Sequence, residues 1–115
     1  MLKVYGIKNC DTVRKALKWL KENDISHEFQ DFRADPVSAD QVQSWEDAVG
    51  RDKLINKRGT TYRKLDEAEK TVLEGEAPYQ MLADNPTLMK RPVFVGSSAT
   101  MVGFTEKEKE ALLGS

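Results

Sequence analysis

Two scarcities bound the chemistry of this chain: it holds one cysteine, Cys10, and one histidine, His27, in 115 residues. One cysteine excludes an internal disulfide and any redox switch built on one. One Cys and one His without a supporting cluster cannot close a zinc shell, so no metal site is expected. Charge of either sign is not in excess, with 18 Lys and Arg against 19 Asp and Glu. No global field therefore draws the protein to DNA, RNA or anionic lipid, and general nucleic-acid binding is not expected. The chain has no long apolar run and no signal-peptide-like segment, which argues against a membrane role and for a cytoplasmic, reducing compartment. It also lacks internal repeats, low-complexity tracts and flexible linkers, as expected of one domain over residues 1–115.

What is present gives the thiol an address. "LKVY" is a short apolar, β-prone run, and "GIKNCD" is turn-like. From Thr12 to Asn23, Val13, Ala16, Leu17 and Leu20 recur at helical spacing. "HEFQDF" reads as a second strand with Phe29 inward. A strand, helix, strand opening of this kind favours a parallel pair. Ser38 with Gln41 forms a candidate capping box, Val42, Trp45 and Val49 share a helical stripe, and Gly50 is a stop. Short helical pieces follow, "DKLIN", "RKLDEAEKTVL" and "APYQMLAD", broken by "KRGTT" and "EGE". Strand signals return at "PVFV" and "ATMVGF", and "TEKEKEALL" closes as a helix begun by Thr105 with Glu108. The expectation is an α/β sheet protein with an all-helical insertion at about 36–90, packed on the sheet. Trp19, Trp45, Phe94 and Met101 are read as core.

A lone cysteine is ordinarily a small buried hydrophobe. Cys10, however, stands where the first strand hands over to the first helix. Unpaired backbone N–H groups and the positive end of the helix dipole there favour a thiolate. Lys8 and Arg14 add positive charge, and Asp11 opposes ionisation unless it turns away. Asn9 either donates to the sulfur or holds the turn. In "MKRPVFV", Pro92 is either an ordinary strand entrance or the second residue of a cis bond. His27 is read as a solvated turn residue. Arg58, Thr60 and Tyr62 of "RGTTYRKL" either line a cleft or belong to a helix-connecting loop.

Taken in order, "YGIKNCDTVRKAL", "NKRGTTYRKL", "LMKRPVFV" and "MVGFTEKE" resemble the arsenate reductase-like (ArsC/Spx) family of the thioredoxin-fold superfamily, and within it the YffB-like subgroup. The resemblance runs along nearly the whole chain. It implies a thioredoxin-like four-stranded mixed sheet with the helical insertion between strands two and three. It further implies that Cys10 lies at the start of the first helix, that Pro92 is a cis-proline facing it, and that the Arg91 guanidinium points at the sulfur. Arsenate reductases of this family gather arginines around an oxyanion. Only Arg91 matches that set here, because Asn56 and the pair Gly103 and Phe104 stand where the other two fall. In Spx-type regulators, which bind RNA polymerase, a Cys-x-x-Cys pair is common, and its second position is Val13 in this chain.

The resulting expectation is a monothiol, glutathione-dependent thiol reductase with Cys10 as nucleophile and glutathione as co-substrate, the latter implied by the resemblance. Arg91, Lys8 and Arg58 are the expected anion- or thiolate-stabilising cations. Asn9, Thr12 and Pro92 are expected to contact substrate or glutathione. The partner would be a small-molecule thiol or a protein mixed disulfide. Two alternatives stand beside it: oxyanion reduction of the arsenate type, and regulation through RNA polymerase.

Overall fold

The computed structural model describes residues 2–96 and 99–113. In chain order the elements are β1 (Leu2–Gly6), α1 (Asp11–Glu22), β2 (His27–Asp31), α2 (Ala39–Val49), α3 (Arg51–Leu54), α4 (Thr60–Arg63), α5 (Glu67–Glu74), α6 (Tyr79–Asp84), a 3-10 turn (Pro86–Leu88), β3 (Val93–Val95), β4 (Thr100–Val102) and α7 (Glu106–Leu113). The chain divides into two compact units, residues 1–35 with 91–115, and residues 36–90.

The first unit is the sheet with α1 and α7. Its strand order is β2-β1-β3-β4, with β1 parallel to β2 and both other pairings antiparallel. The parallel pair needs a crossover, and the twelve residues of α1 supply it. Register then builds the core: Val4 pairs with Phe29 on one side and Phe94 on the other, and Phe94 pairs with Met101. Val4 and Phe94 are fully buried with Ala16 and Leu20, Leu112 is buried beside them, and Phe29, Met101, Trp19 and Phe104 pack around them. Each fully buried large apolar side chain of this kind contributes roughly 1.5–3 kcal/mol. Trp19 meets Phe104 edge to face at a centroid separation of 5.6 Å, which closes one end of that core.

The second unit is all helical. The expected capping box of α2 forms in both directions: Gln41 N–H donates to Ser38 Oγ, and Ser38 N–H donates to Gln41 Oε1, each at 3.1 Å. The Gly50 stop lies at φ +90°, where a side chain would be strained. Two expectations need correction. "KRGTT" is not simply a break, because α4 begins at Thr60. "RKLDEAEKTVL" is not one helix, because α4 ends at Arg63 and Asp66 starts α5 through its own capping box with Glu69. The side chain of Asp66 satisfies the Glu69 N–H, an arrangement open only to a residue outside the helix. Ile55 and Met89 form an isolated antiparallel bridge flanked by bonds from Asn56 N–H to Leu88 O and from Lys90 N–H to Leu54 O.

Candidate active site

The turn between β1 and α1 is held by bonds to its backbone. Cys10 N–H donates to Ile7 O at 3.0 Å, and the Cys10 carbonyl accepts the Arg14 N–H at 3.0 Å as the first bond of α1. Cys10 is therefore the N-cap residue, in extended conformation. Arg14 Nε donates to Lys8 O at 3.3 Å. Asp31, at the end of β2, accepts the Lys8 N–H at 3.1 Å and also the N–H groups of Arg33 and Ala34. Burial pushes the Asp31 carboxyl up, but those three N–H donors and the Arg33 charge outweigh it and leave the carboxyl below its ordinary value. Asp31 thus works as a charged acceptor that fixes the turn carrying the thiol. Gly6 completes the arrangement: a Cβ there would lie 2.7 Å from Val13 Cγ2, so β1 and α1 approach this closely only over glycine.

Cys10 is partly buried. Burial pushes its thiol up, the largest single influence on it. Acting together against burial are the Val13 N–H, the hydrogen bond and charge of the Arg91 guanidinium, and the Thr12 N–H, and the balance lies below the ordinary thiol value. These N–H groups favour the thiolate although Cys10 makes no close side-chain cap bond. The Arg91–Pro92 peptide is cis, Pro92 is buried, and Pro92 O accepts the Gly103 N–H at 2.9 Å, which anchors this segment to the end of β4.

Cys10, Thr12, Arg91 and the adjoining Pro92 therefore come together. Lys8 and Asn9 are exposed in the turn, and it is the Lys8 backbone that is engaged. Asp11 is 89% exposed, 3.8 Å from Arg14, and is not among the influences on the Cys10 thiol. Arg58 belongs to the other unit, where it is exposed and lines a cavity of about 350 Å³ with Asp52, Ile55, Asn56, Lys57 and Lys90. His27 opens β2, opposite Leu2, whereas Asp31 lies opposite Gly6. Four strand steps, roughly 13 Å, separate His27 from the Cys10 end of the sheet. Its Nδ1 donates to Ile25 O at 2.8 Å, so it is a strand-entry residue with no part in this site. Among the described residues no cluster of three His, Cys, Asp or Glu side chains could hold a metal ion.

The sequence reading overlooked two residues. Asp31 carried a local signal, an Asp at the end of a strand before a turn, but its Lys8 partner is 23 positions away. Gly6 read only as part of a turn. Chemically, the arrangement favours the thiolate form of Cys10 over the thiol and sets a guanidinium beside it. Such a pair can attack a disulfide sulfur or hold an anion next to the nucleophile.

The ArsC family model matches residues 5–112. The chain is 47% identical over 111 residues to an uncharacterized protein of Haemophilus influenzae, covering 96% of this chain and 97% of that one. It is 30% identical over 112 residues to the global transcriptional regulator Spx of Listeria innocua, covering 94% and 83%. Among solved structures, a YFFB protein superposes with a TM-score of 0.90 at 35% identity, covering 98% and 99% of the two chains. An arsenate reductase related protein from Brucella melitensis does so with a TM-score of 0.73 at 33% identity, covering 99% and 95%. The mixed sheet with its helical insertion is thus the thioredoxin-like α/β fold expected from the motifs.

Proposed function

The chain belongs to the ArsC family, and from that premise we propose that it is a monothiol thiol reductase that uses glutathione as co-substrate. The observation carrying this reading is the single thiol, Cys10, held at the start of α1 with its ionisation favoured by Arg91 and two backbone N–H groups. In the first step the Cys10 thiolate attacks the glutathione sulfur of a mixed disulfide. The S–S bond breaks, the substrate leaves as a thiolate that takes a proton from solvent, and Cys10 becomes glutathionylated. Glutathione thiolate then attacks that bond, giving oxidised glutathione and regenerating the Cys10 thiolate. The net change reduces the substrate's mixed disulfide to its thiol and leaves glutathione as its oxidised disulfide. Arg91 stabilises charge on the exchanging sulfurs or holds a glutathione carboxylate. Thr12, Asn9 and Pro92 border the substrate position, with Lys8 as a further cation of the proposed site.

Cys10→Ser tests the reading, because a hydroxyl is far too basic to replace the thiolate. Glutathione-linked reduction of a small mixed disulfide should be abolished while circular dichroism shows an intact fold. Retained turnover would overturn it. The identity to Spx regulators favours a second reading, a regulator that acts by contacting RNA polymerase. Under that reading Cys10→Ser leaves cellular function unchanged and polymerase is retained in a pull-down. Oxyanion reduction draws less support, since Asn56, Gly103 and Phe104 supply no cation where arginines fall in the family's arsenate reductases.

A further inference from the structure

We propose that the outer face of α1 is a docking surface for acidic protein substrates, so that mixed disulfides flanked by Asp and Glu are the preferred targets of Cys10. The inference rests on the reductase reading and deepens it. Residues 1–21 hold six cations against one carboxylate, whereas the remaining residues hold twelve cations against eighteen carboxylates. Charge is thus segregated by sign within a chain that is nearly neutral. Solubility is served equally well by interspersed signs, so it does not explain the segregation.

The helix itself shows where those cations lie. Val13, Ala16 and Leu20 are fully buried, which fixes the opposite face of α1 toward solvent. Arg14, Lys15, Lys18 and Lys21 stand exposed on that face, between Asp11 at its start and Glu22 at its end. Arg14 lies against Asp11, but among the described residues no hydrogen bond or ion pair engages the side chain of Lys15, Lys18 or Lys21. The pairs Arg14–Lys18, Lys15–Lys18 and Lys18–Lys21 are three or four residues apart, a spacing at which like charges disfavour the helix. The fold does not need this crowding. A partner carrying negative charge would relieve it.

The thiol selects the kind of partner. The cationic face begins within one turn of Cys10, so a peptide held on it presents a neighbouring sulfur to the nucleophile, as proximity requires. Nucleic acid has the charge but no sulfur to exchange. An acidic segment next to a glutathionylated cysteine satisfies both features, with electrostatic complementarity acting chiefly on association rate.

The test compares two glutathione mixed disulfides of matched peptides, one flanked by Asp and Glu and one by Lys and Arg, with hydroxyethyl disulfide as a neutral small substrate. At low salt the acidic peptide should react with a kcat/KM at least about tenfold above the basic one, a preference that collapses as salt screens it. The triple variant Lys15→Glu, Lys18→Glu, Lys21→Glu should invert the preference and leave hydroxyethyl disulfide turnover unchanged. If that variant fails to fold, Lys15→Gln with Lys18→Gln should reduce the preference. Equal rates for the two peptides, or a preference untouched by these variants, would overturn the proposal. Binding of a fluorescent acidic peptide with Ser in place of Cys reads the surface without catalysis. Salt-sensitive binding lost in the variants supports docking even where the reductase reading fails, and absence of binding overturns docking even where turnover succeeds. Duplex DNA that binds α1 more tightly than the acidic peptide would also overturn it.

Discussion

At the level of single residues, the chemistry turns on how three influences act on one sulfur. Burial opposes ionisation of Cys10, and the backbone N–H groups of Val13 and Thr12 together with the Arg91 guanidinium outweigh it. Removing the guanidinium should therefore move the thiol measurably. Alkylation rate against pH should show a midpoint below about 8.5 for the wild type and a higher one for Arg91→Ala. Arg91→Lys should recover only part of the difference, since a point charge survives and the planar fork does not. Loss of the charge-assisted bond should cost on the order of 1–3 kcal/mol in transition-state stabilisation, with a smaller effect on folding. Unchanged midpoints across the series would show that Arg91 does not act on the sulfur.

Elements place that sulfur, and here local pattern and long-range contact divide the credit. The strand, turn and helix around Cys10 were legible because Val13, Ala16 and Leu20 repeat with the period of a helix and "LKVY" does not. The Ser38 and Gln41 box was legible because both partners lie within four residues. Asp66 was missed as a boundary because its helix-competent neighbours mask a capping side chain. Asp31 and Gly6 were missed because their partners are distant or sterically defined: the Lys8 N–H in one case, the Val13 methyl groups in the other. The Gly6 contact gives a direct prediction. Gly6→Ala should destabilise by about 1–3 kcal/mol, because Val13 is stiff and fully buried and cannot yield cheaply. Urea unfolding would measure it, and a neutral result would mean that α1 shifts freely against β1.

Across the whole molecule, stability should depend on pH through groups the catalytic argument does not use. Hydrogen bonding to Arg51 holds the Glu46 carboxyl below its ordinary value, against the effect of burial and with help from Tyr79 and the Arg51 charge. Arg51 also donates to Leu73 O and Gly75 O, so one side chain ties α2 to the end of α5. Because the folded Glu46 pKa is depressed, its contribution is complete above the unfolded value of about 4.3 and is lost as pH falls through the folded value. Glu46→Gln should therefore flatten the acid limb of a urea-midpoint profile and cost about 1–2 kcal/mol at neutral pH, the partial exposure of Arg51 limiting the loss. An acid limb as steep as the wild type's would remove Glu46 from the account.

The most direct measurement is a single turnover of purified protein with a glutathione mixed disulfide, quenched in acid and read by intact mass. A reductase with Cys10 as its only thiol must pass through a species one glutathione heavier, with the modification on Cys10, and it must lose that species when reduced glutathione is added. Substrate reduced without such an adduct, or an adduct that glutathione does not release, would contradict the account.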